Sequence, residues 1–193
     1  MRAALPGGVL FSAAPVYAGC FSDSTKQYLM AENLIIEAGS KEEKYQALLP
    51  QAHALIAGET DLIAALANLS SALAMTFNWL WTGFYLVKGE QLVLGPFQGP
   101  IACTRIPHGR GVCGSAWAQN QTLLVTDVDA FPGHIACSSS ARSEVVVPIR
   151  DAGGKVAAVL DIDSADLASF DQIDADYLER IVAPLAALFA PAA

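Results

Sequence analysis

The chain is short of positive charge, short of paired cysteines and free of repeats, and each shortage removes a class of protein. Lys and Arg total 11 against 19 Asp and Glu, a net charge of −8, and no run of basic residues occurs. Nucleic acid and anionic membrane surfaces therefore find no electrostatic footprint. The 4 cysteines form no CxxC pair and are too sparse for a disulfide scaffold. Reduced, reactive thiols in a reducing compartment are the simpler expectation. With 53% hydrophobic and only 16% charged residues, the 193-residue chain has ample material for a core and is not a disordered one.

Two apolar stretches need a membrane check. Residues 62–87 carry no charge over more than a bilayer's width, but they include Asn68, Ser70, Ser71, Asn78 and Gly83. The pattern there changes midway from helical to strand-like, which argues against a spanning helix. Residues 3–22 follow Arg2 and end in VYAGC, faintly like a signal peptide with a lipoprotein-type cysteine at Cys20. Pro6, Gly7, Gly8 and Pro15 break that run, and Met30 offers a second start. Residues 1–36 are read as a poorly ordered extension and residues 37–193 as the folded domain. A cytoplasmic location follows, with export or lipid anchoring through Cys20 as the alternative.

Helical spacing of Tyr45, Leu48, Leu49 and Ile56 predicts a helix over 41–57, with Pro50 as its break or boundary. A second helix is expected after Gly58, with Thr60 as N-cap, Asp61 in its first turn and a stripe of Leu62, Leu66, Leu69 and Leu73 ending near Asn78. Residues 83–87 and 91–94 read as a hairpin, residues 123–126 as a further strand, and residues 144–149 and 156–162 as a second hairpin. A C-terminal helix over 174–189 places Leu178, Ile181, Leu185 and Leu188 on one face, interrupted by Pro184. Helices at both ends of a run of hairpins give an α+β domain with a central, mainly antiparallel sheet.

Residues 95–164 hold three of the four cysteines and two of the three histidines. Cys137 follows PGHIA and precedes three serines, Ser138, Ser139 and Ser140, a loop context with His134 three residues away. An imidazolium or a nest of N–H groups there would lower a thiol pKa, which marks Cys137 as the candidate nucleophile. Cys103, on a loop after the Gly/Pro-rich run 95–99, suits a resolving thiol. Cys113, at the start of a short helix, is a backup thiol or a packed one. A zinc site from His108, His134, Cys103, Cys113 and Cys137 lacks the usual close cysteine pairs and is disfavoured. Asp161 and Asp163 sit at i and i+2 of a strand and so share a face, and Glu144 opens the neighbouring strand at the same end. Three carboxylates gathered there would bind a cationic amine, and one could keep its proton and act as an acid. The plainer reading of the same spacing is solvated strand ends.

Four runs, TGFYLV (82–87), LGPFQGPIACTRIPHGRGVCGSAW (94–117), DVDAFPGHIACSSSARSE (127–144) and VLDIDS (159–164), resemble the free methionine-(R)-sulfoxide reductases, a GAF-domain family, from about Glu37 to Phe189. The resemblance implies that Cys137 attacks the sulfoxide sulfur and becomes a sulfenic acid. Cys103 would then close a disulfide, with Cys113 able to take part, and thioredoxin would regenerate the thiols with no bound cofactor or metal. It also implies that Glu144, Asp161 and Asp163 hold the substrate amine, that Trp81 lines the pocket around the methyl group, and that the chain pairs as a homodimer. One departure is SSSARSE after Cys137, where the family often places an acid directly after the nucleophile. The competing expectation is a ligand-sensing GAF module without catalysis. It does not call for three thiols on adjacent loops, nor does the chain leave residues for an output domain.

Overall fold

Alternating burial along the strands divides the molecule into two faces. The structure, a computed structural model, describes residues 34–135 and 139–189. These all belong to one unit, Ala31–Ala193. The expectations for the N-terminal extension and for Cys20 fall mainly on residues outside the described ones. Six strands, β1 (Trp81–Lys88), β2 (Gln91–Gln98), β3 (Arg105–Pro107), β4 (Leu123–Val125), β5 (Ser143–Arg150) and β6 (Val156–Ser164), form one antiparallel sheet. Its order is β3-β2-β1-β6-β5-β4. Both expected hairpins form, and Gly89 at φ +65° makes the tight turn of the first. β3, too short to carry a periodic signal, is an addition to the expected set.

Among the described residues four α-helices complete the fold: α1 (Lys41–Ile56), α2 (Leu62–Phe77), α3 (Gly111–Gln119) and α4 (Gln172–Val182). Ser40 and Glu43 form a capping box that fixes the start of α1. Pro50 does not break α1, contrary to the sequence expectation. It sits on the exposed side, and Gln51 Nε2 donates to the Ala47 carbonyl at 2.8 Å, satisfying an acceptor near the disturbed turn. The N-cap of α2 is Asp61 rather than Thr60, because the Asp61 carboxylate accepts from Ala64 N at 2.9 Å. α4 ends at Val182, just before Pro184. The chain continues from Ala183 to Leu188 as a 3₁₀ stretch with the proline in its first turn.

Helices α1, α2 and α4 cover one face of the sheet. Leu66, Leu69 and Leu73 of α2, together with Leu178 and Ile181 of α4, share a core with Phe84, Val145, Val147, Leu160 and Ile162. On the opposite face Trp81, Tyr85, Val146 and Val159 form a second core with Val112 and Cys113 of α3. No helix among the described residues is long and apolar enough to cross a membrane.

Candidate active site

The second face carries the chemistry, and strand register gathers it. Glu144 pairs with Asp163 and Val146 with Asp161, so Glu144, Asp161 and Asp163 project from the α3 side. Glu144 and Asp161 are each only 6% exposed. Solvated strand ends are therefore not what these residues are.

Helix α3 closes over them. Gly111 at φ +62° starts the helix, and a Cβ on Gly114 would lie 2.5 Å from the Pro107 carbonyl. Only glycine lets the helix press this close to β3. Cys113 is thereby carried down to the acids, and its thiol donates to Glu144 Oε1 at 3.8 Å. One ligand atom from each of Cys113, Glu144 and Asp161 lies within 4.8 Å of the others. Ile106, Val112 and Ile135 are the apolar lining of the same cavity, and His134 lines it too.

Burial is the largest influence on every acid here. It pushes the Glu144 and Asp163 carboxyls well above the usual range, and the charge of Asp161 adds to both. Asp161 is pushed up to about 6 by burial, partly offset by hydrogen bonding to Cys113, Glu144 and the Ile162 backbone. The Cys113 thiol is driven well up, first by burial and then by Asp161 and Glu144. No Lys or Arg is among the described residues that line the cavity. Among the described residues, Asp161 Oδ1 and His134 Nδ1 are buried without hydrogen-bond partners. The pocket is thus an acidic, partly protonated site lacking a cation.

Cys137, the candidate nucleophile, lies outside the described residues. Cys103 lies half-buried on the loop after β2 and is disulfide-bonded. Tyr85 ties this loop to the acids. Its hydroxyl donates to the Cys103 carbonyl at 3.0 Å, and its own ionisation is suppressed first by burial and then by Asp161, Cys113, Asp163 and Glu144. Cys113 is a free, buried thiol. Trp81 is not among the cavity-lining residues, but it stands one strand away, in register with Asp163. Its ring crosses Gly83, where a Cβ would meet Trp81 Cη2 at 2.5 Å, and Gly83 is in register with Asp161. The disfavoured Cys/His zinc set does not assemble among the described residues. His108 packs edge-on against Trp117, and the donors that do converge are one thiol and two carboxylates. Tyr85 and Gly83 escaped the sequence reading. Counting by two along GFYLV from Trp81 would have put both on the acidic face.

A sequence model of the GAF domain matches residues 59–190. The chain belongs to the GAF-domain family. The free methionine-R-sulfoxide reductase of Escherichia coli is 47% identical over 147 residues, which cover 76% of this chain and 88% of that protein. The GAF domain-containing protein A of Dictyostelium discoideum is 58% identical over 154 residues, covering 79% of this chain and 97% of that protein. Among solved structures, the free methionine-R-sulfoxide reductase of Neisseria meningitidis, in complex with its substrate, superposes with a TM-score of 0.76 at 53% identity. That match covers 78% of this chain and 90% of the other. Within the GAF family the chain groups with these reductases.

Proposed function

We propose that this GAF domain reduces free methionine-(R)-sulfoxide to methionine and draws the two electrons from its own cysteines. The observation that carries the reading is the acid triad of buried Glu144 and Asp161 with half-buried Asp163, with no Lys or Arg among the described residues that line the cavity. A free amino acid brings an ammonium group, which is the charge this cavity lacks. A methionine within a polypeptide has no such group to offer at its side-chain end, so the same triad selects for the free amino acid.

The chemistry then runs on thiols. Cys137 attacks the sulfoxide sulfur as a thiolate while Glu144, whose carboxyl is held well above the usual range by burial and the Asp161 charge, gives a proton to the sulfoxide oxygen. The S–O bond of the substrate breaks as the oxygen passes to Cys137 Sγ and the transient sulfur–sulfur bond opens, so methionine leaves and Cys137 becomes a sulfenic acid. Cys103 attacks that sulfur, water is expelled, and a Cys103–Cys137 disulfide results. A thioredoxin-type dithiol then returns both cysteines to thiols. The disulfide-bonded state of Cys103 supports its role as resolving cysteine. Cys113, with its thiol held protonated by burial and acidic neighbours, is the poorer nucleophile of the set.

Turnover of the separated R and S epimers with dithiothreitol tests this reading, comparing wild type with Cys137→Ser. R-specific activity that vanishes in the variant fits it. An inactive wild type that instead binds a nucleotide or another small ligand would return the ligand-sensing reading.

A further inference from the structure

The loop that bears Cys103 also bears the most exposed large apolar side chain among the described residues, Ile101, at 92% exposure. Single exposed apolar residues are ordinary, and what separates this one is its setting. The disulfide-bonded Cys103 lies two residues away and is itself only half-buried. The loop between them is fastened from beneath. Trp81 Nε1 donates to the Pro100 carbonyl at 3.2 Å and Tyr85 to the Cys103 carbonyl at 3.0 Å. Gly99, at φ +134° and with Leu80 O 2.8 Å from where a Cβ would be, sets the sharp approach to Pro100. The inner side of the loop is anchored to β1, and Ile101 is presented outward at little further cost in ordering.

We propose that Ile101 is the apolar anchor on which a thioredoxin-type dithiol protein docks to reduce the disulfide at Cys103. This rests on the thiol cycle proposed above and names the surface that serves its last step. One thiolate of the dithiol attacks Cys103 Sγ, forms a mixed disulfide and expels the other half-cystine as a thiolate. The second thiol of the dithiol loses its proton and attacks the mixed disulfide, so Cys103 leaves as a thiolate. Two electrons pass to this chain, its two thiolates take up two protons, and the reductant departs as a disulfide. A protein reductant needs a surface beside the sulfur it attacks, whereas a small dithiol needs only access.

The test is steady-state reduction of free methionine-(R)-sulfoxide by wild type, Ile101→Ser and Ile101→Leu, driven in one series by thioredoxin and in the other by dithiothreitol. Ile101→Ser should lower kcat/KM for thioredoxin on the order of tenfold, the scale of one apolar anchor lost from an interface. It should leave the dithiothreitol rate unchanged, and Ile101→Leu should restore the thioredoxin rate. Equal rates for all three proteins with thioredoxin would overturn the proposal. So would an equal fall in both series, which would place Ile101 in loop structure or chemistry. A changed oligomeric state by light scattering, with unchanged thioredoxin kinetics, would assign Ile101 to a second copy of the chain and overturn it too. A wild type active with dithiothreitol but not with thioredoxin defeats the choice of reductant. A wild type inactive with both defeats the underlying reading instead.

Discussion

Two groups of acids, one built on buried Asp174 and one on buried Glu144 and Asp161, sit on opposite faces of the same sheet and are treated in opposite ways. On the helical face Asp174, with no exposed surface, accepts from Tyr45 OH at 2.9 Å, from Asp171 N at 2.8 Å and from Lys41 Nζ at 2.5 Å. Burial alone would pull the Lys41 ammonium down, but its bonds to Asp174 and Asp171 outweigh that and hold it up. On the α3 face, Glu144, Asp161 and Asp163 crowd one another, with Cys113 as their polar neighbour and no Lys or Arg among the described residues that line the cavity. The first group is finished by the protein and fastens α1 to α4. The second is left for something else to finish. A buried carboxylate without a cation is costly, and folds keep such groups where a ligand supplies the missing charge.

Breaking the unfinished group should cost function and little stability. Asp161→Asn or Glu144→Gln should lower turnover of free methionine-(R)-sulfoxide on the order of 10²-fold, the scale of a lost general acid or amine anchor. Stability by urea denaturation should hold or rise, since each change removes a buried ionisable carboxyl from a crowded acidic cluster. A variant that kept full activity would sink the assignment of these acids.

Breaking the finished group should do the reverse. Asp174→Ala strands Tyr45 OH and removes the buried end of the Lys41 pair, which costs roughly 3 kcal/mol. A variant that survived this loss should keep its kcat with dithiothreitol, because Asp174 lies on the other face. Equal loss of stability in Asp174→Ala and Asp161→Asn would erase the contrast.

The two groups also differed in how legible they were. The site acids announce themselves in sequence because strand periodicity puts Asp161 and Asp163 on one face and the hairpin register brings Glu144 beside them. Asp174 looked like one more helical acid, and Lys41 and Tyr45 lie more than 120 residues away in sequence. Local pattern carries no trace of such a pairing. The same limit explains Pro50 and Asp61. A proline's effect depends on whether its side faces solvent and what satisfies the freed carbonyl, and a cap depends on which of two adjacent acceptors reaches the third N–H. Tyr85 was legible in principle, as the alternate residue of a strand. Its bond to the Cys103 carbonyl was not, since that loop has no periodicity to place it.

The smallest effect expected, and the most direct test of the contrast, is in the pH dependence of stability. Asp161 is held at about 6 in the folded chain, above the ordinary carboxylate value of an unfolded one. Between those values the folded protein keeps a proton that the unfolded chain has lost, so stability falls as pH rises through about 6 and levels off above it. The slope from one such group reaches at most about 1.4 kcal/mol per pH unit. Glu144 on β5 and Asp163 on β6 are shifted in the same direction and extend the fall upward. Cys113 on α3 and His134 line the same cavity, and Tyr85 on β1 interacts with its acids, so the informative quantity is wild type minus Asp161→Asn rather than wild type alone. Glu43 and Asp171 are shifted the opposite way and act at lower pH, which sets the useful window at about pH 5 to 8. Urea unfolding at steps across that window should show wild type gaining on the variant as pH falls. If the two curves stay parallel, Asp161 is already compensated in the fold, and the cavity is not the unfinished site described here.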